Sequence, residues 1–169
     1  MSADAVRRTN LAEVDCDRRP QLPEGFRRTS ARVGAALGAL HTGLSIYELP
    51  PGQAVSPYHY ETPAEEWLLV VSGTSTLRHP GGEEALEPWD VVFFPSGPDG
   101  AHHVRNNTER TVRVAMFSSS GASAGAVVYT DTDMVWMWTA DDAVNMIVDR
   151  QSALADEAPW VAEKRHRET

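Results

Sequence analysis

Between His41 and Ser120 the chain alternates strand-length segments with turn chemistry, and this punctuation constrains the fold more than any other feature of the sequence. The segments are TGLSIYEL, VSPYHYE, EEWLLVV, TSTLRHP, EEALE, DVVFFP, AHHVRN and TVRVAMFSS, separated by PPG, SGT, PGG, SGPDG and NNTE. Gly, Pro, Asn and Asp in those separators supply the backbone geometries that tight turns require. Regular short strands of this kind predict an antiparallel sandwich or barrel, because a parallel sheet needs crossover connections of about a dozen residues that the intervals do not hold. Weaker strand signals follow at AVVYT, MVWMW and VNMIV and are expected to extend one sheet.

The flanks read differently. Residues 1–40 are polar and then Gly/Ala-rich, with no sustained period of 2 or 3.6, and are expected to form an N-terminal arm. Residues 41–150 form the expected barrel with its extra C-terminal strands. Residues 151–169 are charged and Ala-rich, with Pro159 among them, and are expected to be a polar tail or short helix. A chain of 169 residues is long enough to bury one core without staples.

Charge and cysteine usage narrow the functional classes. A formal charge of −9 opposes binding to nucleic acid, whose affinity comes mostly from Lys and Arg on phosphates. Arg7, Arg8, Arg18, Arg19, Arg27 and Arg28 do cluster in the arm, but Asp and Glu dilute them and no aromatic residues interleave, so they read as a solvated arm. Cys16 is the single cysteine, so no disulfide forms within the chain. The first twenty residues hold no signal-peptide core, and no apolar run approaches the ~20 residues that span a bilayer. A cytoplasmic, membrane-free chain is the expectation.

Chemistry concentrates in three places. His59 and Glu61 are two apart in an extended segment and share a face. Glu66 opens the apolar run WLLVV, where a charge is costly unless it is paired or bound to a cation. His102 follows the turn SGPDG and precedes Asn106. Imidazole nitrogen and carboxylate oxygen on neighbouring strands make a donor set for a first-row divalent cation, provided that the segments converge.

These residues resemble the two motifs of the cupin superfamily. The first, G-x5-H-x-H-x3,4-E-x6-G, is matched by Gly52, His59, Glu61, Glu66 and Gly73, and the second, G-x5-P-x-G-x2-H-x3-N, by Pro95, Gly97, His102 and Asn106. The chain departs from the pattern in four ways. Six residues separate Gly52 from His59, Trp89 replaces the first glycine of motif two, four residues lie between Gly97 and His102, and Glu61 stands where the second ligand His is usual. The resemblance covers about residues 41–120 and implies an all-β cupin jelly roll (double-stranded β-helix) with a divalent metal (Mn, Fe or Zn) held by His59, Glu66 and His102. Glu61 is left as a fourth ligand, a general base or a surface carboxylate.

Strand alternation turns Glu65 and His103 away from that site, and likewise Tyr58 and Tyr60. His41, His79 and His166 read as surface residues. Two functional classes follow from the resemblance: a metal-dependent oxygenase or isomerase acting on a small polar metabolite, and a non-catalytic cupin binding a small molecule or serving as a structural subunit. EEWLLVV, DVVFFP and MVWMW are apolar on both faces, which calls for a cover and predicts a homodimer with the arm covering the remainder.

Overall fold

The computed structural model describes residues 6–18, 21–119 and 124–150. The tail expected over 151–169 therefore lies outside the described residues. Twelve strands are seen among those described: β1 Thr29–Ala31, β2 Thr42–Leu49, β3 His59–Thr62, β4 Glu66–Ser72, β5 Ser75–His79, β6 Gly82–Leu86, β7 Val91–Phe94, β8 His103–Arg105, β9 Val112–Ser119, β10 Ala124–Tyr129, β11 Met134–Thr139 and β12 Asn145–Asp149. One four-residue helix, α1 (Val33–Ala36), and a single 3₁₀ turn at Pro98–Gly100 interrupt them.

Every strand pairing is antiparallel, as the short connections require. The first sheet has the order β1-β2-β9-β4-β7, a second β12-β11-β10-β3 and a third β6-β5-β8. The weak C-terminal signals thus form β10, β11 and β12, which extend the sheet of β3. An isolated bridge between His59 and His102 joins the second and third sheets, and a second bridge joins Ala54 to Arg105. The result is an antiparallel jelly roll. Its inner face holds Leu49, Leu68, Val70, Val112, Val114 and Met116 from the first sheet against Leu77, Leu86 and Val104. Burial of each such Leu or Val contributes about 1.5–3 kcal/mol.

The arm explains part of the two-faced apolar patterning. On the outer face of the first sheet, Ile46, Val71 and Ala115 pack with Ala31 and Val33, and Leu11, Val14, Cys16 and Leu37 lie against them. Arg113 donates from its guanidinium to the carbonyls of Leu11 and Val14 at 3.0 and 2.9 Å. Residues 29–36, which show no period in sequence, supply β1 and α1. β1 is only three residues long, too short for alternation to register.

Glycine earns its place in motif one at Gly73, where φ is +78° and a Cβ would sit 3.0 Å from Val112 Cγ2. Asn106, fully buried, donates to the carbonyls of Leu49 and Arg110 at 2.7 Å and accepts from the Thr108 amide and hydroxyl at 2.8 Å. It fixes the chain where it leaves β8, at the end opposite His102 and His103.

Candidate metal centre

The backbone makes the two histidines converge. His59 and His102 exchange both backbone hydrogen bonds, at 3.1 and 2.8 Å, so they are direct antiparallel partners with side chains on one face. The Gly97 amide donates to the Glu61 carbonyl at 2.8 Å, holding the long loop before His102 against β3. Glu66 comes from the facing sheet. Its register partner Phe94 lies on the same inner face and stacks on the His102 ring, with centroids 3.8 Å apart.

Ring orientation follows from the partners. His59 Nδ1 lies 2.8 Å from the Pro57 carbonyl and His102 Nδ1 2.9 Å from that of Gly100. A carbonyl only accepts, so each Nδ1 carries the proton and each Nε2 presents a lone pair. Burial, and for His102 also the neighbouring His59, disfavours the charged forms. His59 is lowered from its ordinary value, and His102 is pushed down to about 3. Both are neutral near pH 7, the form in which imidazole binds a metal.

Glu66 Oε2 is buried without a hydrogen-bond partner, and it faces His102 Nε2 at 3.5 Å. With His102 neutral, that approach sets two acceptors against each other, an arrangement that needs a proton or a cation between them. Burial and then repulsion from Glu61 push the Glu66 carboxyl up to about 8. The ligand atoms of His59, Glu66 and His102 all lie within 4.8 Å of one another. Two lone-pair nitrogens and an orphaned carboxylate oxygen fit a first-row divalent cation.

Glu61 is not among those three, yet it lines the same cavity of about 220 Å³. Its carboxyl is raised by burial. Glu65 is exposed, and its amide donates to the Ser119 hydroxyl oxygen at 2.9 Å. His103 Nδ1 bonds the Ser56 carbonyl at 2.7 Å. Neither lines the cavity, and nor do Tyr58 and Tyr60. Tyr58 instead lies under the Arg78 guanidinium, 3.9 Å from its ring centroid.

Three wall residues escape a reading of the sequence. Tyr129 on β10 stands 5.8 Å from the His59 ring, Trp136 projects from β11, and Arg28 enters from the arm. The β10 and β11 segments carried only strand signals, which give a side chain's face and not its destination. Tyr47 also lines the cavity.

Residues 45–118 match the family described as "Cupin domain". No curated protein matches the chain. Among solved structures, a sugar phosphate isomerase of the cupin superfamily from Silicibacter pomeroyi superposes with a TM-score of 0.73 at 23% identity, covering 85% of this chain and 93% of its own. A protein from Acidithiobacillus ferrooxidans, provisionally assigned as a sugar phosphate isomerase, gives 0.69 at 24% identity, covering 79% and 82%. The polyketide cyclase RemF from Streptomyces resistomycificus gives 0.56 at 21%, covering 68% and 80%. At these identities the likeness carries the fold.

Proposed function

We propose that this chain, which belongs to the cupin superfamily, is a metal-dependent enzyme of isomerase type acting on a small polar metabolite. The observation that carries this reading is Glu66 Oε2, buried without a hydrogen-bond partner against the free Nε2 of His102. His59, Glu66 and His102 would hold one divalent ion, with Mn, Fe and Zn the candidates. The bound ion would supply Lewis-acid polarisation of a carbonyl or hydroxyl oxygen.

Glu61 supports an isomerase over an oxygenase. Moving a proton between adjacent carbons needs a base stronger than a free carboxylate, and burial raises the Glu61 carboxyl in that direction. It lines the cavity beside the triad, where it can reach a substrate carbon acid. Phe94 holds the His102 ring by stacking, and the Pro57 and Gly100 carbonyls hold both imidazoles in one tautomer. One of the structural relatives is described as a sugar phosphate isomerase and a second is provisionally assigned as one, which agrees with such chemistry. A cavity of about 220 Å³ lies below the ~300–1,000 Å³ usual for drug-sized ligands and suits a small substrate.

The test is deuterium incorporation from D₂O into a panel of small hydroxy-carbonyl compounds, followed by NMR with oxygen uptake recorded in parallel. Exchange that requires added metal and is lost in Glu61→Gln is the expected result. Oxygen uptake without exchange would turn the reading to an oxygenase. Neither response from metal-loaded protein would leave a non-catalytic binding cupin.

A further inference from the structure

We propose that Arg28, contributed by the N-terminal arm, is the anchor for an anionic group on the ligand, so that the site takes small anions that also reach the metal triad. This deepens the reading above and rests on its cavity being the ligand site. Arg28 lies outside the matched cupin domain at 45–118, so the feature belongs to this chain's own arm.

The guanidinium is placed and half-buried, but only one of its nitrogens is occupied. Its Nε donates to the Val55 carbonyl at 2.6 Å, and its carbon lies 4.4 Å above the centroid of the Tyr47 ring. Nη1 and Nη2 have no hydrogen-bond or ion-pair partner among the described residues. The neighbouring Arg27 shows the contrast, since it is exposed and pairs with Glu24 at 2.9 Å. An arginine withdrawn from water without a carboxylate is unusual, and its two remaining nitrogens form the fork that fits a carboxylate or phosphate.

Its surroundings hold it there before any ligand arrives. The Ala54 amide donates to the Gly25 carbonyl at 2.8 Å, the Arg27 amide to Gln53 Oε1 at 2.8 Å, and Gln53 Nε2 to Glu24 Oε1 at 2.9 Å. β1 begins at the next residue, and Ser30 pairs with Tyr47 across the sheet. Arg28 lines the same cavity as His59, Glu61, Glu66 and His102. Among the described residues the charged side chains lining it are Arg28, Glu61 and Glu66, so with a divalent ion bound and both carboxylates ionised these walls still carry net positive charge. That balance favours an anion over a neutral polyol.

Calorimetric titration of manganese-loaded protein with inorganic phosphate, malonate and glycerol tests the assignment, with manganese stoichiometry measured separately for each variant. Phosphate or malonate, or both, should bind wild-type protein, and whichever binds identifies the anion class. Arg28→Gln should weaken that binding roughly 10–100-fold while keeping its manganese, because it removes charge-assisted bonds and no metal donor. Arg28→Lys, which keeps the charge and loses the fork, should fall between and guards against a folding defect in the glutamine variant. Glycerol affinity should not depend on residue 28. Unchanged anion affinity in a folded Arg28→Gln, or no anion binding to the wild type, would overturn the proposal. If wild-type protein holds no manganese yet binds an anion through Arg28, the anchor stands and the metal reading fails.

Discussion

Glu66 sets how the metal-free protein responds to pH. Its carboxyl is raised from the ordinary value of 4.5 to about 8, so between those values the folded chain keeps a proton that the unfolded chain has lost. Stability therefore falls as pH rises through that range. His59 and His102 are lowered from 6.5 and act oppositely, but only below about pH 6.5, where the unfolded chain takes up protons that the folded one refuses. From pH 6.5 to 8 the carboxyl effect acts without that opposition. Metal-free wild type should lose a few degrees of Tm over this window, whereas Glu66→Gln and metal-saturated wild type lose less; equal slopes for all three would refute the assignment. Glu61 calls for a separate comparison. Acting as a base outside the coordination sphere, it predicts that Glu61→Ala keeps stoichiometric metal and loses turnover, while loss of metal from that variant makes it a fourth ligand.

Elements differ in how much of themselves they show in sequence. β2 to β9 were legible because eight apolar segments lay between turn residues, and His59, Glu66 and His102 because their intervals match motifs as well as strand parity. The convergence of His59 with His102 was not legible, since the bridge that creates it joins segments 43 residues apart through backbone atoms common to all residues. Arg28 was missed for a related reason: it resembled five other arginines in a stretch without period, and only the pairing of β1 with β2 carries it to the cavity. The arm before residue 21 does different work. Leu11, Val14 and Cys16 cover the outer cluster, but among its described residues none belongs to the triad or the cavity walls. Removing residues 1–20 should keep a cooperative melt and full metal content while costing roughly 2–3 kcal/mol for three partly buried side chains. Non-cooperative melting would show that this segment is integral to the barrel.

At the scale of the whole molecule, the arm leaves part of the first sheet uncovered. Trp67 and Phe93, whose rings lie 4.7 Å apart, are 46% and 41% exposed, and Val91 and Trp89 beside them are 58% and 73% exposed. Among the described residues β7 is the edge strand of that sheet, so the patch adjoins a strand edge with no described strand beside it. We propose that a second copy of the chain covers it. Light scattering at micromolar concentration should return twice the 18.5 kDa of one chain, with Trp67→Asp/Phe93→Asp shifting it toward one. A wild-type monomer would refute the dimer without touching the metal site. No helix among the described residues is long and apolar enough to cross a membrane.

Metal content of purified protein, measured by elemental analysis after loading with Mn, Fe or Zn and gel filtration, tests the centre most directly. The account predicts about one ion per chain, lost for the most part in each of His59→Ala, Glu66→Ala and His102→Ala, because removing one of three donors strips a shared cation of its support. Glu65→Ala and His103→Ala should keep it. Stoichiometric metal in both His59→Ala and His102→Ala, or none in the wild type with any of the three ions, would contradict the account.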